Sequence, residues 1–140
     1  MKKRNLITSS LLCAGVLSGC ASNLHELESS DITQFVRSCS PTEEEQRLIR
    51  QNVIKMGMQS CVVIQIMGNP ERMSVGEENG LMTGNMLYQF KSGDYKERVL
   101  IRLSMDKVLV IDVVKLKLFG SSFFSPTLYS YDPNRQIPYK

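Results

Sequence analysis

The feature that most constrains the fold is the strand-like pattern in the second half of the chain. Apolar side chains alternate with other residues over positions 86–90 and 99–103, which is the period of a strand with one buried face. Positions 108–118 follow as the longest run rich in β-branched residues. Residues 92–94 and 105–107 separate these stretches and are short enough to be hairpin turns. The sequence therefore predicts three consecutive antiparallel strands.

Two helices are expected before these strands. Thr42 and Glu45 form a capping-box pair at the start of the first helix, which we expect to continue until Gly57. The second helix is expected over residues 60–67 and ends before Pro70, which prevents its continuation. The order helix, helix, strand, strand, strand predicts an α+β fold of two layers (αα-βββ). In that fold both helices pack on one face of a three-stranded antiparallel sheet.

The N-terminus has the anatomy of a bacterial secretory signal. Residues 1–4 carry three basic side chains, and the apolar stretch at residues 6–17 is shorter than the roughly 20 residues needed to cross a bilayer. The stretch at residues 17–20, Leu-Ser-Gly-Cys, resembles the bacterial lipobox, in which cleavage leaves the cysteine as a lipidated N-terminus. The alternative is an ordinary signal peptide in which Cys20 is incidental. We favour lipidation because position, flanking residues and cysteine agree.

Lipidation would fix the location of the chain. Cys20 would carry a covalent diacylglycerol and an N-acyl chain, and two or more acyl chains are needed for stable anchoring. Ala21 follows the cysteine, and this resembles lipoproteins sorted to the inner leaflet of the outer membrane. We therefore expect a lipid-anchored protein on the periplasmic face of the outer membrane, with no cofactor besides this lipid.

These patterns divide the chain into four segments. Residues 1–19 are the predicted lipoprotein signal peptide, and residues 20–41, rich in serine and charges, are the predicted lipid-anchored tether. Residues 42–118 are the predicted αα-βββ domain, and residues 119–140 are a C-terminal extension. Within the domain, residues 71–85 contain three glycines and no periodicity, which predicts a loop.

Charge and the distribution of reactive side chains argue against nucleic-acid binding and catalysis. Without its first 19 residues the chain has 14 basic and 14 acidic side chains, so it lacks the positive charge that nucleic-acid binding requires. The only histidine, His25, lies in the predicted tether, and Glu77 and Glu78 lie in the predicted loop. We therefore expect neither an enzyme nor a small-molecule substrate, and no metal ion.

Cys39 and Cys61 are the two cysteines that remain beyond Cys20. An oxidising periplasm favours a disulfide between them. A bridge requires Cα atoms within about 7 Å, and a first helix of the expected length would carry the chain roughly 20 Å away from Cys39. The sequence leaves a disulfide and two separate thiols open.

The last 22 residues hold six of the ten aromatic residues of the chain. Pro126, Pro133 and Pro138 predict the absence of regular structure there. Such a segment either packs on its own domain or docks into a partner as an extended segment, and both alternatives stay open.

A family resemblance covers residues 42–114. Residues 57–70 resemble the G-M-T…V…L-G-x-P signature of the SmpA/OmlA family, the BamE-like group of small outer-membrane lipoproteins. The signature positions are occupied by Gly57, Met58, Val63, Gly68 and Pro70.

The resemblance implies a non-enzymatic accessory subunit of the machinery that inserts β-barrel proteins into the outer membrane. Its partners would be other outer-membrane or periplasmic subunits and anionic phospholipid. Met86 stands where the family usually has tryptophan, and the aromatic extension is an addition. The residues expected to contact a partner are Met73, Met86, Tyr88, Phe123, Phe124, Tyr129 and Tyr131.

A second interpretation keeps the fold and changes the complex. The same module could be a lipoprotein subunit of a secretion, conjugation or pilus machine, and the missing tryptophan and added aromatic extension favour this. A soluble binding module is disfavoured by the lipobox, and an enzyme of envelope turnover comes last.

Overall fold

Antiparallel hairpins dominate residues 24–139, which are the residues that the computed structural model describes. The predicted signal peptide and the predicted lipidation site at Cys20 lie outside the described residues. The helices are α1 (Ser29–Arg37), α2 (Glu43–Gln51) and α3 (Ser60–Met67). The strands are β1 (His25–Glu26), β2 (Val53–Lys55), β3 (Arg72–Glu78), β4 (Leu81–Ser92), β5 (Tyr95–Ser104), β6 (Lys107–Lys117), β7 (Gly120–Phe124), β8 (Leu128–Ser130) and β9 (Ile137–Pro138).

Most strands belong to one antiparallel sheet. It has seven strands in the order β1-β3-β4-β5-β6-β7, and β9 pairs with β4 beyond the end of β3. A separate two-stranded sheet joins β2 to β8. The predicted sandwich of two helices on a three-stranded sheet is therefore wrong. The β4–β5–β6 meander is where the sequence places three strands, but the sheet extends on both sides of it.

One face of this sheet is covered and carries the core. Met86, Tyr88 and Phe90 in β4 are buried on this face, whereas the alternate residues Leu87 and Gln89 are partly exposed on the other. Seven of the eight residues of α3 are buried, six of them in the same hydrophobic cluster, which explains why this short helix has almost no polar face. The hydrophobic effect thus holds α3 and the sheet together.

The segment predicted to be a tether belongs to the folded domain over residues 24–41. β1 pairs with β3, and α1 buries Ile32 against the core. Its apolar residues Ile32, Phe35 and Val36 are too few among serines and charges to predict this helix from the sequence.

The segment predicted to be a loop is also structured. Residues 72–78 form β3 and pair with residues 81–87 of β4, joined by a turn at Asn79-Gly80. Gly84 interrupts the apolar alternation because a Cβ there would lie 2.9 Å from the backbone oxygen of Ser74. A close backbone approach, rather than a loop, accounts for this glycine.

The first predicted helix begins where the sequence predicts but ends earlier than predicted. Thr42 and Glu45 form the capping box as predicted. α2 stops at Gln51, before the predicted end at Gly57, because Asn52 adopts a left-handed conformation with φ 54°. Residues 53–55 then form β2 instead of a further helical turn.

Glu45 connects the starts of two helices. Its carboxylate accepts hydrogen bonds from the Thr42 backbone N–H at 2.8 Å and from the Gln59 backbone N–H at 2.7 Å. The Gln59 side-chain amide also donates to it at 2.7 Å. Burial raises the pKa of Glu45, but these hydrogen bonds outweigh burial and hold the pKa below its ordinary value. The ionised form is therefore favoured in the folded state.

We predict that Glu45→Gln lowers the free energy of unfolding at pH 7 by about 1–2 kcal/mol, because the amide cannot accept all three bonds. The pKa of Glu45 is lowered on folding, so its contribution is complete above the unfolded value of about 4.3 and is lost as the pH falls through the folded value. Urea unfolding at pH 7 and pH 3 should therefore show a smaller difference at pH 3. Glu43→Gln, an exposed change in the same helical turn, is the control, and an equal difference at both pH values would contradict the assignment.

Candidate partner-binding surface

The turn between β6 and β7 exposes two large apolar side chains. Lys117 pairs with Gly120, so Leu118 and Phe119 form a two-residue turn. They are 87% and 92% exposed, the highest values among the large apolar residues of the described chain. Hairpin turns normally carry glycine, asparagine or aspartate. Leucine and phenylalanine contribute nothing to turn geometry here, which indicates a role outside the fold.

The strand that follows this turn is also exposed. All five residues of β7 are exposed, including Phe123 at 66% and Phe124 at 39%. Leu118 and Phe119 in the turn, with Phe123 and Phe124 on the two faces of β7, together define the hairpin surface. An exposed group of large apolar side chains on a small domain is typical of an interaction site.

The hairpin surface is apolar with positive charge and without carboxylates of its own. Residues 113–131 contain Lys115 and Lys117 and no acidic residue. The Lys115 ammonium lies 5.4 Å from the centre of the Phe124 ring and 3.6 Å from a Glu97 oxygen. Lys117 has no ion-pair partner among residues 24–139. The surface therefore favours a partner that offers both apolar contacts and negative charge.

Four of the seven predicted partner residues are buried, so the prediction is wrong for them. Met73, Met86, Tyr88 and Tyr129 all belong to the core. The alternation along β4 predicted one buried face, but Tyr88 faces the helices rather than a partner. Its hydroxyl donates to the Gly68 carbonyl oxygen at 2.9 Å, and burial raises its pKa.

The other three predicted partner residues divide between two environments. Tyr131 is partly buried and its ring centre lies 5.4 Å from that of Phe90. Phe123 and Phe124 are exposed on β7. Sequence reasoning missed Leu118 and Phe119. The predicted strand continues to position 118, so the pattern gives no sign of a turn there. The signal that could have revealed them is the glycine at position 120, whose φ of 110° suits the residue after a tight turn.

The signature residues of the family resemblance have structural positions. Gly57 and Gly68 adopt positive φ angles of 87° and 80° on either side of α3. Met58 and Val63 are buried in the core, and Pro70 is buried after the helix. These residues shape α3 and its ends, and none belongs to the hairpin surface.

Cys39 and Cys61 form a disulfide with a Cα–Cα distance of 5.8 Å. The sequence left this bridge open because a first helix reaching Gly57 would carry the chain away from Cys39. The bridge is feasible because α2 has only nine residues and α1 packs beside α3. It connects the end of α1 to the first turn of α3 and closes a loop of 22 residues. Such a link stabilises the N-terminal segment on the core mainly by restricting the unfolded chain.

A buried polar cluster holds the C-terminal segment on its own domain. The Glu97 carboxylate accepts hydrogen bonds from the Tyr129 hydroxyl and from the Gln136 amide at 2.7 Å. Burial raises the pKa of Tyr129, and the hydrogen bond to Glu97 adds to this shift. A cavity of about 120 Å³ lies beside the cluster. Because its polar atoms already bond to each other, the cluster is best explained as a clamp.

The clamp decides between the two alternatives for the C-terminal extension. β8 pairs with β2, and β9 pairs with β4, so residues 128–138 pack on their own domain. The prolines do not prevent strand pairing there, since Pro138 lies in a two-residue strand. The hairpin surface at residues 118–124 is the part of the extension that remains available.

A second concave feature lies at the opposite end of the sheet. An apolar groove of about 360 Å³ is lined by Leu27 and Phe35 of the N-terminal segment together with Val75, Met82 and Leu103. Gly84 forms part of the groove wall, and a side chain at this position would collide with the Ser74 backbone oxygen. The groove lies where the predicted tether joins the domain.

The residues considered for catalysis do not form a site. His25 lies in β1 opposite Val75, and Glu77 and Glu78 lie near the end of β3. Within residues 24–139 no three metal-ligating side chains come together. Over the same range, the helices are too short or too polar to cross a membrane.

No protein-family model matches this chain, and neither a curated protein nor a solved structure matches it.

We predict that Tyr129→Phe lowers the free energy of unfolding by about 1–3 kcal/mol, because it leaves the buried Glu97 carboxylate without one of its donors. Urea unfolding at pH 7 measures this change. Tyr139→Phe, a change in a more exposed tyrosine of the same segment, is the control and should stay within about 0.5 kcal/mol. Equal stabilities of the Tyr129→Phe variant and the unchanged protein would contradict the clamp.

Proposed function

We propose that this chain is a lipid-anchored, non-enzymatic accessory subunit of an envelope protein complex, of the type that assembles outer-membrane β-barrels. The observation that carries the proposal is the hairpin surface, on which Leu118, Phe119 and Phe123 are each at least 66% exposed. The lipobox-like segment ending at Cys20 supports the membrane anchor. The anchor and the hairpin surface would give a small domain two attachments, one to lipid and one to protein.

The position of β1, where the chain joins the folded domain, agrees with this arrangement. β1 lies beside β3 near the level of the β5–β6 turn, whereas the β6–β7 turn is at the other end of β6. β6 has 11 residues, so its ends are roughly 35 Å apart. Leu24 lies four positions after Cys20, and this stretch spans at most about 14 Å. A lipid on Cys20 would place the membrane near the β5–β6 turn and leave the hairpin surface facing away from it.

The resemblance to the BamE-like family supports the barrel-assembly type. It rests on the signature around α3, where Gly57 and Gly68 have positive φ angles that other residues rarely adopt. On this proposal the partners are other subunits of that machinery, with anionic phospholipid as a further contact near the anchor.

A second candidate is a lipoprotein subunit of a secretion, conjugation or pilus machine. The observation that favours it is the location of the hairpin surface at residues 118–124, beyond the residues 42–114 that the family resemblance covers. A docking surface outside the shared region is consistent with a different complex.

We predict that a photo-crosslinking amino acid at Phe119 captures a specific envelope protein in living cells, because this side chain would lie in the interface. The same amino acid at Met105, which is 65% exposed in the turn at the opposite end of the sheet, is the matched control and should capture less of that protein. Mass spectrometry identifies the product. Cys20→Ser should release the chain from the membrane fraction and weaken the crosslink.

The identity of the captured protein separates the candidates. Barrel-assembly subunits would support the first candidate, and secretion, conjugation or pilus components the second. Equal capture at Phe119 and Met105, or no capture at either, would contradict both.

A further inference from the structure

We propose that β7 accepts an extended segment of a partner protein as an additional strand, and that this segment carries carboxylate side chains among its apolar ones. The inference deepens the proposed function, on which it rests for the location of the partner. It identifies the chemistry of the docking event as β-strand addition, in which backbone hydrogen bonds supply affinity and side chains supply selectivity.

The free edge of β7 is the first observation. β7 ends the strand order of the sheet, and within residues 24–139 its backbone pairs with β6 alone. Its five residues pair with residues 113–117 in continuous register, without the bulge that interrupts β5 and β6. An exposed strand edge presents unpaired N–H and C=O groups that can template another strand.

The absence of edge protection is the second observation. Natural edge strands are usually blocked by lysine, proline, a bulge or extreme shortness. β7 has the sequence Gly-Ser-Ser-Phe-Phe, which contains neither lysine nor proline, and proline appears only after the strand at Pro126. The other outer strand, β1, has just two residues. Among the described strands, β7 is thus the edge long enough to support an added strand.

The side chains of β7 indicate what an added strand would contact. Phe123 pairs with Val114 on the exposed face of the sheet, and Phe124 pairs with Val113 on the covered face. Because cross-strand neighbours interact at close range, apolar residues on an added strand would pack against these rings. The exposed Leu118 and Phe119 lie at the end of the same strand and would extend this contact.

Charge argues for carboxylates in the partner and against a second copy of this chain. Residues 113–131 carry two lysines and no acid, and Lys115 already lies 3.6 Å from Glu97. Lys117 stays exposed without an ion pair among the described residues. A second copy paired through β7 would bring the same lysines, and its nearest carboxylates, Glu97 and Asp112, already pair with Lys115 and Arg102. Opposite charge on a different segment would be attracted instead.

The position of β7 argues against a bilayer as the occupant. Exposed aromatic residues with lysines also suit a membrane interface. A lipid on Cys20 would, however, hold the membrane near the β5–β6 turn, roughly 35 Å from the β6–β7 turn along β6. A protein segment on the side away from the membrane fits this geometry.

The test uses the full chain purified in mild detergent and three acetylated eight-residue peptides. One alternates valine with glutamate, one alternates valine with lysine, and the third is the glutamate peptide with alternate backbone nitrogens methylated. Fluorescence anisotropy measures affinity, and hydrogen exchange measures protection of the backbone amides of residues 120–124. We expect the glutamate peptide to bind at least tenfold more tightly than either other peptide and to slow exchange in β7.

Proline substitutions at Ser121 and Ser122 test the backbone contact. N–H direction alternates along a strand, so one of these residues donates towards β6 and the other points outward. The variant whose outward N–H is lost should melt like the unchanged protein and bind the glutamate peptide at least fivefold more weakly. The variant that loses a hydrogen bond to β6 should melt at a lower temperature, and the decrease measures how much that bond stabilises the fold.

Several results would overturn the proposal. These are equal affinity for the glutamate and lysine peptides, binding without protection of β7, or full binding by both proline variants. Protection of β7 without peptide at high protein concentration would indicate self-association, and binding to phosphatidylglycerol vesicles through β7 would indicate a membrane. Failure of peptide binding while Phe119 still crosslinks to an envelope complex would refute strand addition alone.

Discussion

The burial of α3 on one face of the sheet is the interaction on which the rest of the structure depends. An isolated helix of eight residues is marginal in water, and α3 is stabilised by packing because seven of its residues are buried. Its ends are fixed by other elements. Gln59 is held by Glu45 of α2, and the Gly68 carbonyl oxygen accepts the Tyr88 hydroxyl of β4. The disulfide at Cys61 joins α1 to the same helix, so both other helices and the sheet are connected through α3.

The same organisation explains why some residues of the C-terminal extension pack on the domain while others stay exposed. Tyr129 and Gln136 return to the core and bond to Glu97, whose buried carboxylate requires donors. β7 has no helix over it and no strand beside its outer edge among residues 24–139. The core around α3 is therefore well packed, whereas Leu118, Phe119 and Phe123 stay exposed in the turn and strand at the far end of β6. This contrast is the physical basis for assigning a partner to the hairpin surface.

Sequence reasoning succeeded where the signal is local. The capping box of Thr42 and Glu45, the extent of α3 and the β4–β5–β6 meander each depend on neighbouring residues in the chain. It failed for α1 and for the β3–β4 hairpin. The role of Ile32 depends on the core that it packs against, and that of Gly84 in β4 on the β3 backbone beside it. For the candidate surface, alternation showed that Tyr88 has a distinct face but could not show which face the helices cover. Phe123 is exposed, and its contact with a partner stays a prediction. The sequence did not indicate Phe119, because the strand pattern continues into the turn.

The most direct test of the central claim is hydroxyl-radical footprinting of the aromatic residues, in the purified chain and in intact envelopes. In the purified chain, Phe119 and Phe123 should be oxidised rapidly, while Tyr88 and Tyr129 should be protected by burial. In envelopes, oxidation of Phe119 and Phe123 should fall because the partner covers the hairpin surface. Equal oxidation of these two residues in both samples would contradict the assignment of this surface to a partner.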